Sequence, residues 1–281
     1  MSGDTVETVR DEGLFQRLIG APLRFVRDWL ESFVALQGFD RAVALAGQAF
    51  TALIPLLIVY GAVMSNRSGR DFADQIINAF DLKGAAASQI RQAFAPPTSI
   101  ESSASIFGVF LLIFSALAFT RALQRLYQLA WDQTSLGMRA AKWGLSWLGI
   151  IILWITVRPI LVGWSHGLVE LVLSIGLSGV VWLITPYVLL GRRISWLRLA
   201  PTALLTGFGM TVLAVCSAIW MPHSVATSAA QFGTIGVAFA LLSWLVGYGV
   251  VLVIAASGGA VIEERLETRR ARRSRRTAPI T

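Results

Sequence analysis

The chain has 281 residues, 55% of them hydrophobic and only 14% charged, with a mean hydropathy of +0.66. Soluble domains carry about a quarter charged residues and disordered chains are poor in hydrophobic ones, so both classes are excluded and a polytopic membrane protein remains. The charge that is left is uneven, 24 Lys+Arg against 16 Asp+Glu for a net +8, and any functional reading has to place that basic excess.

Residues 1–41 form a charged segment without the apolar core of a cleavable signal peptide, so the first hydrophobic stretch is expected to act as an uncleaved signal anchor. Within residues 14–34, Leu14, Leu18, Phe25, Trp29 and Phe33 recur at helical spacing, with Arg17, Arg24, Arg27 and Asp28 between them. That pattern predicts an amphipathic helix. It either lies on the cytoplasmic leaflet or packs as an elbow on the cytoplasmic helix ends.

A helix needs about 20 mostly apolar residues to cross the hydrocarbon core. Six stretches within residues 42–260 qualify: Ala42 to Met64, Ala104 to Thr120, Trp143 to Trp164, Gly167 to Leu190, Leu199 to Met221 and Gly233 to Ala256. The second is short and is expected to continue as helix through Arg121, Arg125 and Tyr127. The fold class is therefore all-α, with six transmembrane helices plus interfacial and outer-loop amphipathic helices.

Between the first two spans lies the one long loop, 65–103. Phe72, Ile76 and Phe80, then Ile90 and Phe94, repeat at i, i+4 on either side of Gly84. Two short helices capping the bundle are expected, the second ending at Pro96-Pro97.

Basic residues set the orientation. Arg10, Arg17, Arg24, Arg27 and Arg41 precede the first span. Arg121, Arg125, Arg139 and Lys142 lie between the second and third, and Arg192, Arg193 and Arg198 between the fourth and fifth. The opposite loops hold only Arg67, Arg70, Lys83 and Arg91. The positive-inside rule then puts both termini in the cytoplasm. The tail, 261–281, carries Arg265, Arg269, Arg270, Arg272, Arg273, Arg275 and Arg276. Such a run is expected to stay unfolded against anionic lipid. Nucleic-acid binding is the other reading of a basic run, disfavoured because this one directly follows a span.

Three stretches resemble the YihY/virulence factor BrkB family of bacterial inner-membrane proteins. Ala49 to Leu57, written AFTALIPLL, is similar to that family's aromatic-x-x-Leu-x-Pro-Leu-Leu segment. Ala122-Leu123-Gln124-Arg125 sits where the family has Ala-Leu-Asn. Trp196, Pro201, Phe232-Gly233, Leu241-Leu242-Ser243-Trp244 and Gly259-Ala260 follow in family order. Gln124 replaces the usual Asn, and Val261 stands where the family commonly has Glu. The resemblance implies a six-helix inner-membrane protein linked to envelope integrity, in a family for which lipid transport has been proposed.

A few polar residues are not explained by topology. Arg158 lies inside the third span and Glu170 just inside the fourth, at similar depths on the two arms of a short hairpin, and they are expected to pair. Snorkelling of Arg158 to the headgroups is the alternative. His166 and Glu170 share a helix face, and with His223 they are weak candidates for a metal. Arg121 and Arg125, beside Gln124 and Gln128, are suited to a lipid phosphate or to plain topological anchoring. Gln48 lies in the first span. Pro55, Pro159 and Pro186 each remove a backbone hydrogen bond within a span, while Gly176 and Gly179, Gly207 and Gly209, Gly233 and Gly236, and Gly247 and Gly249 permit close helix approach.

Catalysis finds little support. The membrane-proximal acids Asp40, Asp132, Glu263, Glu264 and Glu267 are scattered in sequence, Cys216 sits in an apolar span, and no Gly-rich phosphate loop with a lysine is present. No enzyme activity and no cofactor are expected. Three functions stay open: moving or positioning an amphipathic anionic lipid without nucleotide hydrolysis, secondary transport of a small solute or ion, and a non-transporting scaffold. Membrane lipids with anionic headgroups are the expected partners, with a homo-oligomer or an envelope protein as further ones.

Overall fold

The computed structural model describes the backbone of residues 24–63, 73–74, 77–78, 82–93, 102–163 and 167–277. Seven helices account for almost all of it: α1 (24–35), α2 (Gly38–Val63), α3 (Gly84–Ala93), α4 (Ser102–Ala130), α5 (Arg139–Val162), α6 (Leu168–Leu189) and α7 (Trp196–Thr277). Among the described residues there is no strand. Four helices have stretches long and apolar enough to cross a membrane: Phe107–Ala130, Arg139–Val162, Leu168–Leu189 and Trp196–Ala271. Large apolar side chains stay on the outside of the bundle, among them Phe110, Phe114, Ile152, Ile175, Phe208 and Phe239. In water such a surface would aggregate, whereas in hydrocarbon it is the correct exterior.

At 82 residues α7 would be about 123 Å long if straight, four times the roughly 30 Å hydrocarbon core. It is not straight. Gly233 has φ 61° and ψ −139°, a conformation that breaks the helical path and that a side chain would oppose. The two arms then run antiparallel. Gly259 lies against Thr202, Gly258 against Leu205, Gly209 against Val251 and Gly247 against Leu213. Nearer the turn, Trp244 Nε1 donates to Ser217 Oγ at 2.8 Å. Gly209 and Gly259 are small because the arms touch. A Cβ on Gly209 would sit 2.7 Å from Val251 Cγ1, and one on Gly259 would sit 2.6 Å from the Thr202 Cα. Gly249 plays the same part toward α2, where a Cβ would meet the Ala42 carbonyl oxygen at 2.5 Å. Gly176 and Gly179 correct the expectation, since a Cβ on either would meet nothing within 4 Å.

Two cores result. The larger joins α2, α4, α5, α6 and α7 around Leu126, Tyr127, Trp147, Leu189, Leu199 and Leu252. The smaller sits toward the α7 turn, where Ile77, Leu82, Ala86 and Ile90 pack on Met221, Val225, Ala229 and Val237. The bundle thus has a tip end, at Gly233 and α3, and a basal end, where α1 meets the late part of α7. Of the two expected outer-loop helices, the second is α3. The first is described only at 73–74 and 77–78, so Phe72 and Phe80, like Phe94 and Pro96-Pro97, lie outside the described residues.

At the basal end α1 packs as an elbow. Trp29 Nε1 donates to the Ile254 carbonyl (3.3 Å) and to Ser257 Oγ (3.2 Å), Phe33 joins the larger core, and Arg265 pairs with Asp28 while lying over the Phe25 ring. Residues 14–23 of the expected amphipathic helix lie outside the described residues. The arginine tail corrects a second expectation, because α7 continues as helix through Thr277. Arginine is a good helix former, and the costly nucleus already exists in the apolar segment that precedes it, so each further turn is cheap.

Candidate functional site

Four of the polar residues that topology leaves unexplained line one cavity, and two further cavities gather other polar groups. The first is a 300 Å³ cavity where the end of α4 meets the start of α5. Arg121, Gln124, Arg125 and Gln128 line it from α4, with Ser135, Gly137 and Ala140 opposite. The α-helical period puts residues i, i+3, i+4 and i+7 on one face, and that spacing brings all four side chains together. Gln124 is only 2% exposed and donates from Nε2 to the Ala140 carbonyl at 3.0 Å, tying α4 to α5. Gln128 is 7% exposed, whereas both arginines are exposed. The α5 N-terminus at Met138 has no side-chain cap. Two guanidinium groups with two amides beside them on one concavity suit an anion.

The second cavity, about 730 Å³, opens at the basal end. Asp132, Glu263, Glu264 and Glu267 line it, together with Asp28, Arg198, Arg265 and Arg269. Acids that are scattered in sequence are therefore gathered in space, except Asp40. Glu263 is 3% exposed. Its Oε1 has no hydrogen bond, but it has two guanidinium neighbours, Arg198 at 3.5 Å and Arg270 at 3.6 Å. Arg198 also pairs with Glu267. The clue in the sequence was the i, i+4, i+7 spacing of Glu263, Glu267 and Arg270 on one stripe of α7. Arg198, Arg265 and Arg270 each engage a carboxylate there, and among the described residues no cluster fit to hold a metal is found.

The third cavity, about 330 Å³, lies inside the bundle and is mostly apolar. Trp147, Ile151 and Trp154 of α5 face Ser178, Val181, Trp182 and Thr185 of α6, closed by Phe119, Leu123, Tyr248 and Leu252. Trp147 Nε1 donates to Thr185 Oγ1 at 3.2 Å, and the hydroxyl donates on to the Val181 carbonyl at 2.8 Å. Trp154 Nε1 is buried without a partner. Sequence reasoning missed this cavity because its lining is what any membrane helix shows; the signal was Ser178 and Thr185 recurring on the tryptophan face.

The remaining candidates separate. Arg158 and Glu170 do not form the expected pair: both are exposed, and the Arg158 guanidinium instead lies over the Trp154 ring, 5.5 Å from its centroid. Each faces the bundle's surroundings, where a long side chain can reach the headgroups without a partner. His223 is exposed, and His166 lies outside the described residues, as do Trp164 and Ser165. Gln48 is half-buried in α2 and its Oε1 is buried without a partner. α2, α5 and α6 run on through Pro55, Pro159 and Pro186, and Cys216 is exposed on the bundle exterior.

Long apolar helices, a hydrocarbon-compatible exterior and polar cavities define a helical membrane protein. The model of the virulence factor BrkB family matches residues 30–280, and the chain belongs to that family. No curated protein and no solved structure matches it.

Proposed function

We propose that the chain is a six-span inner-membrane protein that binds an amphipathic lipid through an anionic headgroup group, and moves or positions it without nucleotide hydrolysis. The observation that carries this reading is the α4–α5 cavity, where Arg121, Gln124, Arg125 and Gln128 converge. Guanidinium forks match phosphate oxygens, and the apolar exterior leaves a lipid's chains in the bilayer. In this reading α7 contributes the fifth and sixth spans, the basal end is cytoplasmic and the tip faces out, because the basal end carries the basic residues. The chain itself performs no chemistry. Reconstitution in liposomes with fluorescent phospholipids tests the reading: lipid exchange between leaflets should rise with protein and fall in Arg121→Gln/Arg125→Gln. Equal exchange with and without protein would count against it.

One observation favours a second reading, transport of a small solute. The basal cavity of about 730 Å³ is lined by side chains of both charges and is far wider than an anion needs. Uptake that depends on a pH or ion gradient, with lipid exchange unchanged, would favour it.

A further inference from the structure

The α5–α6 cavity does not end at its apolar lining. Along α5, Trp147, Ile151 and Trp154 line it, and Arg158 continues the same i, i+4, i+7 stripe one turn, about 5.4 Å, toward the tip. Along antiparallel α6, Thr185, Val181 and Ser178 line it, and Ser174 and Glu170 continue that stripe in the same direction. Glu170 lies in the first turn of α6, whereas Arg158 lies a full turn inside the end of α5 at Val162. Glu170 is therefore the outermost of the series.

Read from the bundle interior toward the tip, the order is an apolar cavity, a cation and an anion. The cavity is roughly twice the ~150 Å³ apolar void that takes a benzene ring. The cation is Arg158, held against the Trp154 indole by its position over the ring. The anion, Glu170, is not spent on Arg158. A charged headgroup cannot enter the apolar part without losing its hydration, so only a hydrocarbon chain suits it.

We propose that this groove binds one phospholipid with a primary-amine headgroup, of the phosphatidylethanolamine type. The acyl chain fills the cavity, the phosphodiester meets Arg158 and the ammonium meets Glu170. The groups of such a lipid follow one another in that order. Phosphatidylglycerol offers hydroxyls where Glu170 needs a cation, and phosphatidylcholine offers an ammonium with no N–H to donate. The inference goes beyond the lipid reading to a second place on the bundle, and it takes from that reading that a phospholipid is the ligand.

The test uses the full-length protein in proteoliposomes doped with phosphatidylethanolamine carrying a photoactivatable diazirine in its acyl chain. Crosslinks are mapped by peptide mass spectrometry. Labelling should concentrate at Trp147 to Arg158 and at Glu170 to Thr185, rather than at outward residues such as Phe208 or Phe239. Unlabelled phosphatidylethanolamine should compete about tenfold better than phosphatidylglycerol or phosphatidylcholine. Arg158→Gln should reduce the groove label about tenfold, and Glu170→Gln should erase the preference among headgroups while keeping the label. Both residues are exposed, so neither variant threatens the fold, and the wild-type map alone already decides. Uniform labelling of all outward faces, or equal competition by the three lipids, would overturn the proposal. The two ideas fail separately. A specific groove label without leaflet exchange removes the transport reading only, and exchange without a groove label removes this one only.

Discussion

The basal end and the tip side of the α5–α6 pair use charge in opposite ways. At the basal end Asp28, Arg198, Glu263, Arg265, Glu267 and Arg270 pair with one another, and α1 is fastened to α7 by the Trp29 indole as well. On the tip side, Arg158 and Glu170 lie on neighbouring helices and leave each other unpaired. Paired charges hold helices in place. Unpaired ones, in a setting where ions are costly, are available to something outside the chain. The difference is that the basal charges hold helices to one another, whereas Arg158 and Glu170 hold none.

The largest expected effect probes the contact that builds the basal half of α7. Gly259→Val forces side-chain atoms onto the Thr202 backbone, and overpacking of this kind costs about 3 kcal/mol. The variant should lose folded yield or melt at least several degrees lower in detergent. Gly179→Val, where nothing lies within 4 Å, should melt like the parent. Equal behaviour of the two would mean that the α7 arms are not in contact.

Next in size is the buried carboxylate. Arg198→Ala leaves Glu263 with Arg270 alone. Removing one partner of a buried pair costs about 3–5 kcal/mol; with Arg270 retained and Arg198 itself part-exposed, about 2 kcal/mol is expected. Thermal unfolding should show it, and Arg198→Ala/Glu263→Gln should recover part of the loss, because the uncompensated charge is gone. A smaller effect tests the elbow. Trp29→Phe removes the indole donor to Ile254 and Ser257, worth about 1 kcal/mol, and should speed hydrogen exchange in α1 before it changes the global melt.

How much of this could be read in the sequence follows from range. Helices declare themselves through apolar runs of fixed length, so the bundle, the extension of α4 past Arg125 and the helix at Gly84 were all readable. The Arg121, Gln124, Arg125 and Gln128 cluster was readable too, because one helix carries it. Groups joined across helices were not. Glu263 looks like one scattered acid until Arg198, more than sixty residues earlier, folds beside it, and Trp147 looks like any membrane tryptophan until Thr185 meets it. The tail misled because composition alone suggests disorder, whereas a helix already begun continues through arginine. Arg158 and Glu170 misled because a shared hairpin brings two side chains near the same level without making them meet.

That last point yields the smallest expected effect, and the one that bears most on the comparison. If Arg158 and Glu170 are unpaired, charge reversal at either site removes no internal contact. Arg158→Glu and Glu170→Arg should each shift stability by no more than about 0.5 kcal/mol, as surface substitutions do. The double reversal should equal the sum of the singles, since the coupling energy of residues that do not interact is near zero. Thermal melts of the four proteins in a lipid-free detergent would measure that coupling. A coupling of about 1 kcal/mol or more would mean that the two close on each other and that both ends of the bundle spend their charges on assembly. No coupling in detergent, with coupling reappearing once phosphatidylethanolamine is added back, would place the partner of both charges in the lipid.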